Sequence, residues 1–132
     1  MKYTGKRAWL YSSIDAPEDM YGSIKGQEKD LFDYAEQLGL LVAGTSSDLG
    51  GGGGSEKPGL GQVIAAARDG KFDALLVKSV GRLCCGVETA AKLICQFADS
   101  GVGVCSMLEG EIEPDSALSA IYNSNRRQGR LT

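Results

Sequence analysis

The sequence predicts an α/β domain in three layers, a mainly parallel sheet of four to five strands with helices on both faces. Three observations carry that expectation. Short apolar runs near residues 7–15, 40–45, 72–78 and 102–107 alternate with segments whose apolar residues recur at helical spacing. The run Ala74-Leu75-Leu76-Val77 is apolar on both alternating faces, as a central parallel strand should be. Strands separated by helices of this length connect by right-handed crossovers.

The first strand, Arg7 to Asp15, runs out into Ser12, Ser13 and Asp15, and so delivers small polar residues to the carboxyl edge where open α/β folds place their sites. A turn-rich loop follows over residues 16–22. From Ser23, the positions Ile24, Leu31, Tyr34, Ala35 and Leu38 mark a helix that Gly39 stops. Residues 40–45 read as a second, buried strand. The next loop, residues 46–58, contains five consecutive glycines and should be mobile, because glycine loses the most conformational freedom on ordering. A phosphate-cradling P-loop would need Gly-Lys-Ser/Thr, whereas Lys57 is followed by Pro58.

Pro58 opens a second helix with Leu60, Val63, Ile64 and Ala67 on one face, ending at Asp69-Gly70. Residues 72–78 form the third strand and 79–86 the loop at its carboxyl end. A third helix carries Val87, Ala90, Ala91, Ile94, Phe97 and Ala98, and stops at Ser100-Gly101. Residues 102–107 form a fourth strand, residues 109–112 a short additional one, and residues 116–122 a further helical pattern. The expected division is a domain over residues 1–113, followed by the start of a carboxyl-terminal helix with a basic tail over residues 114–132.

With 132 residues, the chain is long enough for one core. No apolar run is long enough to cross a bilayer, and a soluble, cytoplasmic protein is expected. The four cysteines include no CxxC pair, and there is no histidine to complete a zinc site or to carry protons near neutral pH. Neither a metal nor another cofactor is expected. Free thiols fit a reducing compartment, with Cys95 and Cys105 in the core. Arg126, Arg127 and Arg130 supply three of the 14 basic side chains, so residues 1–125 hold 11 basic against 17 acidic. A body that acidic does not grip nucleic acid over a broad face, and any DNA contact is local or supplied by the tail or another segment.

The order of motifs resembles the amino-terminal catalytic domain of the resolvase/invertase family of serine recombinases. Tyr11-Ser12-Ser13-Ile14-Asp15 is similar to the family's Tyr-x-Arg-x-Ser, and Ser23-Ile24-Lys25-Gly26-Gln27 to its Ser-Leu-x-x-Gln. Glu56-Lys57-Pro58-Gly59-Leu60 is similar to Asp-Arg-Pro-Gly-Leu, and Gly81-Arg82-Leu83-Cys84-Cys85 to Asp-Arg-Leu-x-Arg. The segments Gly70 to Lys78 and Gly101 to Val104 before Glu109-Gly110 extend the likeness.

The resemblance implies a resolvase-like fold and a serine nucleophile that attacks a DNA phosphodiester, forming a phosphoserine link while arginines balance the charge on phosphorus without a metal ion. It places Asp15 at the nucleophile position, Ser13 and Cys85 at arginine positions, Lys57 at the loop arginine and Gly81 at the family's aspartate. Arg82, Gln27 and Lys78 keep the residue types of the motifs. The expectation is a site-specific DNA recombinase domain with little or no strand cleavage of its own, a DNA partner, and pairing as a homodimer or with a partner recombinase. The family's long helix would begin where the tail arginines lie.

Several readings stay open. Asp15 could attack phosphorus itself, or serve as a solvated or capping carboxylate, and Ser13 could act as a displaced nucleophile about 6.5 Å away. Lys57 and Arg82 could form an anion site, or Arg82 could pair with Asp48 or Glu56. Cys84 and Cys85 read as small side chains filling a loop, although a thiol beside Arg82 would be more easily ionised. The rival functions are a dimerisation or regulatory module acting on an active recombinase, and a small signalling or nucleotide-binding domain.

Overall fold

The computed structural model describes residues 3–14, 22–49, 57–79 and 87–112. The expectations for Asp15, the glycine loop, Gly81, Arg82, Cys84, Cys85, the helical pattern at 116–122 and the tail arginines fall outside those residues. Five strands, β1 (Arg7–Ile14), β2 (Leu41–Leu49), β3 (Ala74–Val77), β4 (Gly103–Ser106) and β5 (Gly110–Ile112), form one sheet in the order β2-β1-β3-β4-β5. β1 pairs in parallel with β2 and β3, and β3 in parallel with β4, while β5 returns antiparallel to β4.

Helix α1 (Ser23–Leu38) covers one face, and α2 (Pro58–Arg68) and α3 (Val87–Asp99) cover the other. The period of two in β3 decides what each face receives. Ala74 and Leu76 join Ala8, Leu10 and Cys105 under Leu31 and Ala35 of α1. Leu75 and Val77 join Tyr11 and Val104 under Val63, Ala66 and Ala67 of α2 and Ala90, Ile94 and Phe97 of α3. All four residues of β3 are buried, as its apolar run predicts.

The structure corrects the expectation for β2. The strand does not end at Thr45 but runs to Leu49, because Ser46, Ser47, Asp48 and Leu49 continue the ladder opposite Tyr11, Ser12, Ser13 and Ile14. Nor is it buried. As the outer strand of the sheet it leaves Leu41 61% exposed, with Val42 and Ala43 also exposed. An apolar run records strand propensity and cannot report which side of β1 the chain returns to. Cys105 is buried, whereas Cys95 on α3 is only half-buried.

Glycines fix two close approaches. Gly39 closes α1 in the left-handed region at φ 74°, and Leu40 follows with its N–H on the Ala35 carbonyl. Gly59, in the first turn of α2, lies so near the end of β2 that a Cβ there would sit 2.4 Å from the Ser47 carbonyl oxygen.

Candidate functional site

The parallel strands β1, β3 and β4 all deliver their carboxyl ends to one edge of the sheet. Ser12 and Ser13, at that end of β1, are both buried. Gln27, also buried, reaches from the first half of α1 and clamps this strand end. Its Oε1 accepts from the Ser13 N–H at 3.2 Å, and its Nε2 donates to the Ser13 carbonyl at 2.8 Å. A single amide thus satisfies a donor and an acceptor two residues before Asp15.

The entrance of α2 is brought to the same edge by Asp48, which lies opposite Ser13 in the ladder. Asp48 is only 6% exposed, and its carboxylate is surrounded by donors. Oδ1 accepts from the Gly59 N–H at 2.7 Å, while Oδ2 accepts from the Leu60 N–H at 2.9 Å and from the Tyr11 hydroxyl at 2.6 Å. These are first-turn amides that no helical carbonyl can satisfy. A neighbouring strut runs from Trp9 Nε1 to Ser46 Oγ at 3.0 Å, and from that hydroxyl to the Gly59 carbonyl at 2.9 Å. Lys57 takes the N-cap position of α2 and makes no side-chain capping bond there.

Lys78 follows β3 directly, and its carbonyl is held by β4. It accepts from the Leu108 N–H at 3.1 Å and lies 3.3 Å from the hydroxyl of Ser106, whose single proton is shared with the nearer Glu109 Oε1 at 2.8 Å. The Ser106 oxygen in turn accepts from the Leu108 and Glu109 N–H groups. Ser106 is fully buried, and this turn sets where the chain leaves β3.

Ser13, Gln27, Lys57 and Lys78 are therefore collected at one edge from four separate parts of the chain. Asp15, Gly81, Arg82, Cys85, Arg126, Arg127 and Arg130 lie outside the described residues. Sequence reasoning named Asp48 only as a possible partner of Arg82 and gave Tyr11, Ser46 and Ser106 no bonding role. The available signal was register: a polar residue at the end of an outer strand faces the turn into the next helix. Among the described residues, no group of three acidic or thiol side chains is placed to hold a metal ion, and no helix is long and apolar enough to cross a membrane.

The sequence matches the family described as Resolvase, N terminal domain, over residues 11–125. The chain belongs to this resolvase family.

The fold agrees with that membership. The crystal structure of the N-terminal catalytic domain of TP901-1 integrase is 24% identical and superposes with a TM-score of 0.72, covering 96% of this chain and 98% of that one. A resolvase family site-specific recombinase from Streptococcus pneumoniae gives a TM-score of 0.77 at 19% identity, covering 96% and 91%. The C-terminal catalytic domain of ISC1926 TnpA, an IS607-like serine recombinase, gives 0.67 at 22% identity over 76% and 69%. No curated protein matches the sequence. In this resolvase domain, side-chain hydrogen bonds to backbone groups hold the strand end at Ser13, the α2 entrance after Lys57 and the β3 exit at Lys78, fully buried at Ser13 and partly buried at Lys78.

Proposed function

We propose that this chain is the catalytic-type domain of a serine-class, site-specific DNA recombinase, that it holds a DNA phosphodiester at the carboxyl edge of its sheet, and that it cleaves DNA strands poorly or not at all. The single observation that supports the binding half is the gathering of Ser13, Gln27, Lys57 and Lys78 at one edge of a resolvase fold. Lys57 and Lys78 supply positive charge, and Gln27 keeps the end of β1 in place.

Residue types support the second half. Asp15 stands where the family has its attacking serine, and a carboxylate held about 4 Å from a phosphate costs about 4 kcal/mol at an effective dielectric of about 20. Ser13 and Cys85 stand where planar, bidentate guanidinium donors would be, and Lys57 offers a point charge in place of another. Each lost contact to the developing charge lowers the rate about a hundredfold or more. DNA engagement then depends on few contacts, with Arg82 and the tail arginines Arg126, Arg127 and Arg130 as further candidates.

Two measurements test this. Incubated with supercoiled plasmid and quenched with denaturant, the chain should give no covalent protein–DNA adduct; an adduct would overturn the inactivity. Titrated with a short duplex, the isotopically labelled chain should show NMR shifts at Ser13, Gln27, Lys57 and Lys78. Shifts confined to other residues, or none, would remove the phosphodiester reading.

A second reading, a dimerisation or regulatory module acting on an active recombinase, draws support from exposed apolar side chains. Leu108 is 70% exposed in the β4–β5 turn, and Met107 beside it is also exposed. Co-purification with a full-length recombinase would favour it, and a strictly monomeric chain that captures none would count against it.

A further inference from the structure

The two hydrogen-bonded struts between the sheet and α2 have a consequence for Lys57. Tyr11 and Trp9 lie two apart on β1 and so face the same side. Each reaches the start of α2 through one β2 side chain, Tyr11 through Asp48 and Trp9 through Ser46. The two struts grip Gly59 on both sides of its Cα, its N–H by Asp48 and its carbonyl by Ser46. Those bonds hold Gly59 against β2, so near that an added Cβ would meet the Ser47 carbonyl, and Pro58 limits the swing of the backbone between Gly59 and Lys57.

We infer that Asp48 is a positioning residue, which fixes the α2 entrance to β1 and thereby holds Lys57 at the carboxyl edge to meet a phosphate oxygen. The inference deepens the phosphodiester reading above and rests on it for the identity of the ligand. Asp48 itself does not touch the anion. Its carboxylate is enclosed by three donors, and a buried acceptor so satisfied fixes geometry because releasing any one donor leaves that donor unpaired. The carboxylate also partners the first-turn amides of α2, so these are not left for the ligand, and the phosphate contact at this loop falls to the Lys57 side chain.

The test uses the full chain, isotopically labelled, with Asp48→Asn. The carboxamide oxygen can still accept from one backbone N–H, while its amide nitrogen can accept nothing, so one strut is broken without emptying the site. Without DNA, the Gly59 and Leu60 amides should exchange with solvent at least about tenfold faster than in the unaltered protein. The terminal methylene resonances of Lys57 should move to free-lysine positions, with those of Lys78 and the Gln27 side-chain amide unmoved. Lys57 resonances that stay in place while the two amides are deprotected would overturn the inference, because Asp48 would then be a helix anchor only.

With a short duplex added, the variant should lose the shift at Lys57 and retain those at Lys78 and Gln27; an undiminished Lys57 response would also overturn it. If the unaltered chain shows no response to duplex, the phosphodiester reading fails, and the measurements without DNA still decide the role of Asp48. Should Asp48→Asn fail to fold, Tyr11→Phe removes one donor and leaves the carboxylate. It should move Lys57 in the same direction by a smaller amount, and no movement would count against the inference.

Discussion

At Gly59 one methyl group is enough to force apart β2 and α2, because an added Cβ would sit 2.4 Å from the Ser47 carbonyl oxygen and 2.8 Å from its carbon. Those are backbone atoms that cannot rotate away. Gly59→Ala should lower stability by about 1–3 kcal/mol, read from the denaturant midpoint, as overpacking does elsewhere; an unchanged midpoint would show that the approach is looser. Gln27 makes the complementary case. Gln27→Ala leaves the buried N–H and carbonyl of Ser13 without their amide partner and should cost about 1–3 kcal/mol in chemical denaturation. Tyr3 gives a pH dependence. Burial first, then hydrogen bonds to Cys105 and Glu111, push its hydroxyl well above its ordinary value of 10.0, so the folded state favours the neutral phenol. That contribution is fully present below about pH 10 and is lost as pH rises beyond it. Tyr3→Phe should therefore flatten the alkaline fall in stability, measured by thermal melts above pH 10, and a fall as steep as that of the unaltered protein would refute the assignment.

Two strands with similar apolar sequences play opposite parts. β3 is buried on both faces in the middle of the sheet, and Leu75, fully enclosed between α2, α3 and its neighbours, should cost about 2–5 kcal/mol when truncated to Ala. β2 forms the outer edge, and Leu41→Lys should stay within about 0.5 kcal/mol of the unaltered protein in the same denaturation experiment. A large loss from Leu41→Lys would mean that this edge is covered in solution. The helix boundaries were readable because the signals are local: the helical spacing after Ser23, Gly39 in the left-handed conformation and Pro58 at the first position of α2. The end of β2 was not, because Ser46, Ser47 and Asp48 carry turn-like side chains and are held extended by β1 across the ladder.

Over the whole molecule, charge limits what the edge can do. The chain carries a formal net charge of −3, and excluding the three tail arginines makes the remainder more negative. If the duplex is held as proposed, with Lys57 and Lys78 as its cations and Arg82 as a further candidate by sequence, the logarithm of duplex affinity should fall against the logarithm of salt with a slope of about −2 to −3, near 0.9 per phosphate contacted. A slope several times steeper would reveal a broad basic face that the acidic body does not predict. The same global view explains how four motif positions distant in sequence come to one edge of the sheet: parallel crossovers return each strand to that edge.

By itself, the sequence determined the class of fold, the family resemblance and the residue types that depart from it, Asp15, Ser13, Lys57, Gly81 and Cys85, because periodicity, turn chemistry and motif order are written along the chain. Tertiary structure alone decided that β2 is the exposed edge, that Gln27 clamps Ser13, and that Asp48 joins Tyr11 to the start of α2. Those facts depend on which strands become neighbours and in what register, and a hydrogen bond between residues 37 apart has no signature in local spacing.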